Sequence, residues 1–295
     1  VAEGTDVTGI SSVSSVSSVT STAAERDATT DETRGLVARG LTLAYDRHVV
    51  VRDLDLDVPT GAFTAVVGPN GCGKSTLLKA LARTHRPDAG EVLLDGRPIG
   101  AYRSKEVARR LAFLPQAPVA PDQVTVRDLV GRGRHPYHSV LRQWLPEDAG
   151  IVDAALAVTG VADLADRPVA ELSGGQRQRV WLALVLAQDT RYVLLDEPTT
   201  FLDIAHQVDL LDLCQDLQLD GRTVVAVLHD LNLAARYATH LVVMRDGAVV
   251  AQGEPGAVLT AELVQHVFGL ACEVVPDPQV GAPMVVPLAR AARQG

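Results

Sequence analysis

The apolar run "FTAVVG" (Phe63 to Gly68) passes straight into "PNGCGKST" and then into "LLKALA", and this junction limits the fold more than any other stretch of the chain. A short β-branched run followed by clustered glycines and then helical spacing reads as strand, tight loop and helix. The loop matches G-x-x-x-x-G-K-[ST] through Gly68, Gly73, Lys74 and Ser75, in the setting that a phosphate-binding loop requires. Its glycines let the backbone wrap closely and point amides at phosphate oxygens. Lys74 adds a point charge on the β- and γ-phosphates, and Ser75 offers a hydroxyl to Mg²⁺. Gly68, Pro69, Asn70, Gly71, Cys72, Gly73, Lys74, Ser75 and Thr76 are therefore the expected nucleotide-binding loop. The bland alternative, a plain glycine turn, does not account for a lysine and a hydroxyl at these offsets.

The flanking sequence supplies a frame for such a loop. "LVARGLTLAYDRHVVVRDLDLDV" holds strand-like runs before it, and "YVLLDEP" and "VVAVLHD" read as strands buried on both faces, with helical segments between. This alternation predicts an α/β fold with a mostly parallel sheet. "YVLLDEP" delivers Asp196 and Glu197 to a strand's carboxyl end, where ligands sit in such sheets. Asp196 is expected to hold Mg²⁺, and Glu197 to orient or deprotonate an attacking water.

Composition removes some alternatives. A net charge of −9 opposes broad attraction to nucleic acid or to an anionic lipid surface. Three cysteines without metal-ligand spacing argue against a disulfide framework. No apolar run approaches the roughly 20 residues needed to span a bilayer. Residues 1–34, rich in Ser and Thr and lacking a basic leader or apolar block, read as a disordered tail rather than a secretory signal. His135 and His138 flank Pro136, with no carboxylate or cysteine in view to complete a metal shell.

"LSGGQRQRV" (Leu172 to Val180) places two glycines where a helix begins. Glycine weakens a helix interior, but in the first turn its bare N–H groups can face an anion. "GPNGCGKST", "LSGGQ" and "LLDEP", in that order and with "LSGGQ" about 20 residues before the acids, resemble the ATP-binding subunits of ABC transporters. The resemblance runs from about residue 36 to the C-terminus. It implies a P-loop NTPase core, an antiparallel β subdomain and an inserted α-helical subdomain near residues 117–172, within one ABC domain over 35–295.

The resemblance also implies roles. Leu172, Ser173, Gly174, Gly175 and Gln176 would bind, in trans, the ATP held by a second copy, with Asp203 of "TTFLD" at the same interface. Tyr45 in "LAYDRHVV" falls where the family stacks an aromatic on adenine. Gln116 matches the glutamine that senses Mg²⁺ and the attacking water, and His229 matches the switch histidine at the γ-phosphate. Expected partners are a second copy, integral membrane permease subunits and, indirectly, an extracytoplasmic binding protein, with the chain peripheral on the cytoplasmic face of the cell membrane. Arg127, Arg132, Arg134 and Arg142 read either as a solvated helix face or as a surface toward permease acids.

"VRDLVGRGRHPYHSVLRQWLPED" and the C-terminal "GEPGAVLTAELVQHVFGLACEVVPDPQVGAPMVVPL" resemble the importer branch for ferric siderophores, haem and vitamin B12, with ferric-siderophore ATPases nearest. Cobalamin or haem import, or a soluble ABC ATPase of a cytosolic machine, stays open on sequence grounds.

Overall fold

The computed structural model describes residues 35–121, 123–139 and 145–289; the Ser/Thr-rich segment and Arg142 lie outside them. The chain runs β1 (Leu36–Tyr45), β2 (His48–Val58), β3 (Phe63–Val67), α1 (Lys74–Leu81), β4 (Ala89–Leu94), β5 (Arg97–Pro98), α2 (Ser104–Ala108), β6 (Leu111–Leu114), α3 (Val126–Gly131), α4 (Pro146–Val158) and α5 (Gly174–Ala187). It continues through β7 (Tyr192–Asp196), α6 (Ile204–Leu219), β8 (Thr223–Val227), α7 (Leu231–Tyr237), β9 (His240–Arg245), β10 (Ala248–Gly253), α8 (Pro255–Val258), α9 (Ala261–Phe268), β11 (Cys272–Pro276) and β12 (Pro283–Pro287).

The main sheet has the order β10-β9-β3-β8-β7-β6 and is parallel except for β10. Every residue of β3, β7 and β8 is buried, as expected of parallel strands covered on both faces. Alternation divides them: Phe63, Ala65 and Val67 join a core with α5, α6, α7 and α9, while Val66 joins a second core with α1. That second core is closed by an antiparallel sheet, β2-β1-β4-β5. Leu36, Ala38, Leu41 and Leu43 of β1 and Leu54, Leu56 and Val58 of β2 point into it. The fold is α/β, with a mostly parallel sheet and a separate antiparallel sheet.

A third core gathers α3, α4 and one face of α5 around Val126, Leu129, Val152, Leu156, Val180 and Ala183. At its edge the structure corrects the reading of the arginines as one solvated face. Arg134 lies in a 3-10 turn, Arg132–Tyr137, and is buried. Its Nε donates to Asp148 Oδ1 at 2.8 Å and its Nη1 to the Ala187 carbonyl at 2.9 Å. A second correction concerns His138: a carboxylate does stand beside it, since Nε2 lies 2.8 Å from Asp148 Oδ2. Asp148 balances a buried guanidinium there, and no cluster of three metal-ligating side chains occurs among the described residues.

The same joint fixes the end of α5. The Tyr137 hydroxyl donates to the carbonyls of Gln188 and Asp189, each at 3.0 Å. The Gln188 side chain donates to the carbonyls of Ala108 and Leu111, at 2.7 and 3.1 Å. The last carbonyls of a helix have no partner within it; here Arg134 supplies one to Ala187, and Tyr137 does the same for the two residues just past the helix. Among the described residues no helix is long and apolar enough to cross a membrane.

Candidate functional site

The loop between β3 and α1 opens on a cleft of about 330 Å³ lined by Val50, Asn70, Gly71, Gly73, Lys74, Ser75, Thr76, Gln116, Glu197 and His229. Residues far apart in sequence meet here because β3, β7 and β8 are neighbours and end at the same edge. At Gly68, where β3 leaves the sheet, a Cβ would fall 2.2 Å from the Met244 carbonyl oxygen. Only glycine lets the loop start this close to β9.

The Lys74 Nζ donates to the carbonyls of Gly68 and Pro69, both at 2.9 Å. The ammonium is therefore held across the loop by the loop's own backbone. The Ser75 hydroxyl donates to Asp196 Oδ1 at 2.7 Å, which joins the start of α1 to the end of β7. Asp196 is fully buried and its Oδ2 has no hydrogen-bond partner among the described residues. Burial pushes this carboxyl above its ordinary value, and the Ser75 hydroxyl and nearby lysines oppose the shift. A buried carboxylate oxygen without a partner, next to a hydroxyl, is the hard oxygen donor set that suits Mg²⁺. The residues present fit that ion.

Glu197 follows with a left-handed φ of 53°, uncommon for a residue bearing a Cβ. Both of its oxygens are engaged. His229 Nε2 lies 2.8 Å from Oε1, and Gln116 Nε2 donates to Oε2 at 2.5 Å. The three residues named from sequence as catalytic thus converge on one carboxylate at the cleft wall.

Other expected residues stand apart. The Cys72 side chain is buried among core residues, and burial raises its thiol pKa, so only its backbone can serve a phosphate. Tyr45, half-exposed at the tip of β1, packs at a tilt against His85 outside the cleft lining. The Leu172 side chain is buried in the third core, so only its backbone can face a second copy. Ser173 and Gln176 form a reciprocal cap at the start of α5: Gln176 N donates to Ser173 Oγ, and Ser173 N donates to Gln176 Oε1. Gly174 and Gly175 occupy the first turn, and this segment does not line the chain's own cleft. Asp203 caps α6 by accepting from His206 N at 3.0 Å. Nearby Phe201 and Ile204 are each 81% exposed.

Two parts of this arrangement escape sequence reasoning. Val50 lines the cleft from β2 without any chemical signature. The Arg134–Asp148 pair joins residues with no motif between them.

A phosphate loop, a serine on a buried aspartate and a glutamate held by histidine and glutamine at one sheet edge define a nucleotide-hydrolysing P-loop ATPase. The ABC transporter family model matches residues 51–200, and the chain belongs to that family as one of its ATP-binding, ATP-hydrolysing components. It is 51% identical over 264 residues to the ferric enterobactin transport ATP-binding protein FepC of Escherichia coli K12, covering 89% of this chain and 97% of that one. Among solved structures, an inward-facing metal-chelate type ABC transporter aligns with a TM-score of 0.74 and 30% identity, over 88% of this chain and 99% of its own. The dimeric bacterial ABC cassette MJ0796 aligns with a TM-score of 0.68 and 26% identity, over 74% and 98%.

Proposed function

We propose that this chain hydrolyses ATP to drive an importer of ferric siderophore across the cytoplasmic membrane, working as a pair of copies beneath integral membrane permease subunits. The observation that carries the catalytic half is Glu197, whose carboxylate is held between His229 and Gln116 beside the Ser75–Asp196 bond. The cargo rests on similarity to the ferric enterobactin ATPase over nearly its whole length and to a metal-chelate transporter. An extracytoplasmic binding protein that selects the cargo, and a peripheral position on the membrane's inner face, belong to the same reading.

Each residue has a task in this scheme. The loop amides and Lys74 cradle the β- and γ-phosphates. Ser75, Asp196 and Gln116 would hold Mg²⁺, which when bound neutralises charge developing on the transferred phosphoryl group. Glu197 accepts a proton from the attacking water or orients it, while His229 and Gln116 fix the carboxylate. Since the Ser173 segment stands outside its own cleft, a second copy would bring Ser173, Gly174, Gly175 and Gln176, with Asp203 alongside, to the exposed side of the bound triphosphate. The dimeric cassette supports that arrangement. The α3–α4 layer would form the helical subdomain that meets the permease, so that closure of the pair moves the permease by differential binding to two states.

Lys74→Ala should weaken ATP binding by roughly 10- to 100-fold, the worth of a charge-assisted hydrogen bond. Unchanged affinity by calorimetry would contradict the loop's role.

The cargo is tested by uptake of radiolabelled ferric siderophore and labelled cobalamin in cells lacking this chain, rescued with wild type or Glu197→Gln. Loss of iron uptake alone, restored only by wild type, is the expected result. Loss of cobalamin uptake alone keeps the mechanism and changes the cargo. Normal uptake of both removes the siderophore reading and favours haem import or a cytosolic machine.

A further inference from the structure

The tilted ring pair at the tip of β1 has no part in the scheme above. The rings of Tyr45 and His85 lie 4.7 Å apart, tilted by 40°, within the range of a favourable aromatic contact. Tyr45 is 46% exposed, so a large part of the side chain stays open to solvent while His85 backs it. His85 Nε2 is buried and makes no hydrogen bond among the described residues. Packing, rather than that nitrogen, positions the imidazole.

The backbone beneath the pair is firmly tied. His85 N and Thr84 N both donate to the Lys79 carbonyl, at 3.1 and 2.8 Å, where α1 ends. Asp88 N donates to the Thr42 carbonyl and Asp88 Oδ2 accepts from Ala44 N, both at 2.9 Å, which anchors the tip of β1 to the same segment. The helix that starts in the phosphate loop therefore ends against this tip. Val50, on the strand paired with β1, lines the phosphate cleft. Hydrogen-bonded backbone thus links the end of α1 to the tip of β1 that carries Tyr45.

We propose that His85 is a positioning residue for nucleotide recognition: its imidazole sets the plane of Tyr45 so that the ring's open face receives the adenine base, at a reach from the phosphates fixed by α1. This rests on the reading of Tyr45 as the base-stacking aromatic. Stacking adds affinity without demanding a particular hydrogen-bond pattern, and a platform already held in place loses less freedom on binding.

The test is calorimetry on the full chain with two ligands, ATP and inorganic tripolyphosphate, which lacks a base. His85→Ala should weaken ATP binding roughly three- to tenfold, as loss of an aromatic contact predicts, and leave tripolyphosphate affinity unchanged. His85→Phe should restore most of the loss, and Tyr45→Ala should weaken ATP binding at least as much as His85→Ala. Should Tyr45→Ala have no effect, the base-stacking reading falls and this role with it. If Tyr45→Ala weakens ATP binding but His85→Ala does not, only the role of His85 falls. Equal loss for both ligands would make His85 an anchor of the loop instead of the platform, and failure of Phe to restore affinity would overturn ring packing as the means.

Discussion

Replacing Glu197 with glutamine is expected to leave ATP binding near wild type and to lower turnover by on the order of 10²- to 10⁴-fold, the usual worth of a positioned general base. The amide keeps the shape of the side chain, and its oxygen can still accept a hydrogen bond. What it loses is the capacity to take a proton from water, in the one carboxylate that both Gln116 and His229 contact. With hydrolysis blocked, the ATP-bound pair of copies should accumulate and elute as a dimer by gel filtration in ATP, while wild type returns to monomer. Normal phosphate release by the variant would remove Glu197 from the catalytic role.

The second large effect falls on stability. Asp148 is fully buried and receives Arg134 on one oxygen and His138 on the other. Burial alone would raise its carboxyl pKa, but the hydrogen bonds from Arg134, Leu145 N and His138 outweigh that and hold it below the ordinary value. Asp148→Asn leaves the buried Arg134 charge without a counterion and should destabilise the chain by about 3 kcal/mol, the low end for breaking a buried pair, since the amide oxygen still accepts one bond. Denaturant midpoints measure this. A carboxyl with a depressed folded pKa contributes stability above its unfolded pKa and loses it as pH falls through the folded value. The gap between wild type and variant should therefore be full at neutral pH and close in acid, below the ordinary carboxylate range. Equal midpoints at pH 7 would show that the pair adds nothing.

What could be read from the sequence was what local chemistry writes in order. The phosphate loop, the acids at the end of β7 and the glycines opening α5 each lie within a few residues, and the structure puts all three at element ends. The sequence also carried the strands around them, because β3, β7 and β8 are short, mostly apolar runs that are buried along their whole length. Side-chain direction was not legible. Cys72 and Leu172 sit inside motifs, yet one turns into the core behind the loop and the other into the helical core. Arg134 looked like its neighbours Arg127 and Arg132, and only tertiary packing sets it against Asp148 and Ala187. The contact between Tyr45 and His85 spans the whole of β2, β3 and α1, so no local pattern could announce it.

In the proposed pair, the far end of α5 would tie together two motions that the chemistry must keep in step. Arg134 holds its last carbonyl and Tyr137 the two that follow, and the Gln188 side chain reaches the backbone at the end of α2 and the start of β6. The strand leads to Gln116 at the Glu197 carboxylate, and the helix leads back to the Ser173 cap, which in the proposed pair would face the second copy. A displacement entering through the helical layer would therefore advance both at once, like two hands geared to a single spindle. In the proposed pair, each copy's hold on its own nucleotide through Gln116 and its hold on the partner's nucleotide through Ser173 would then loosen together.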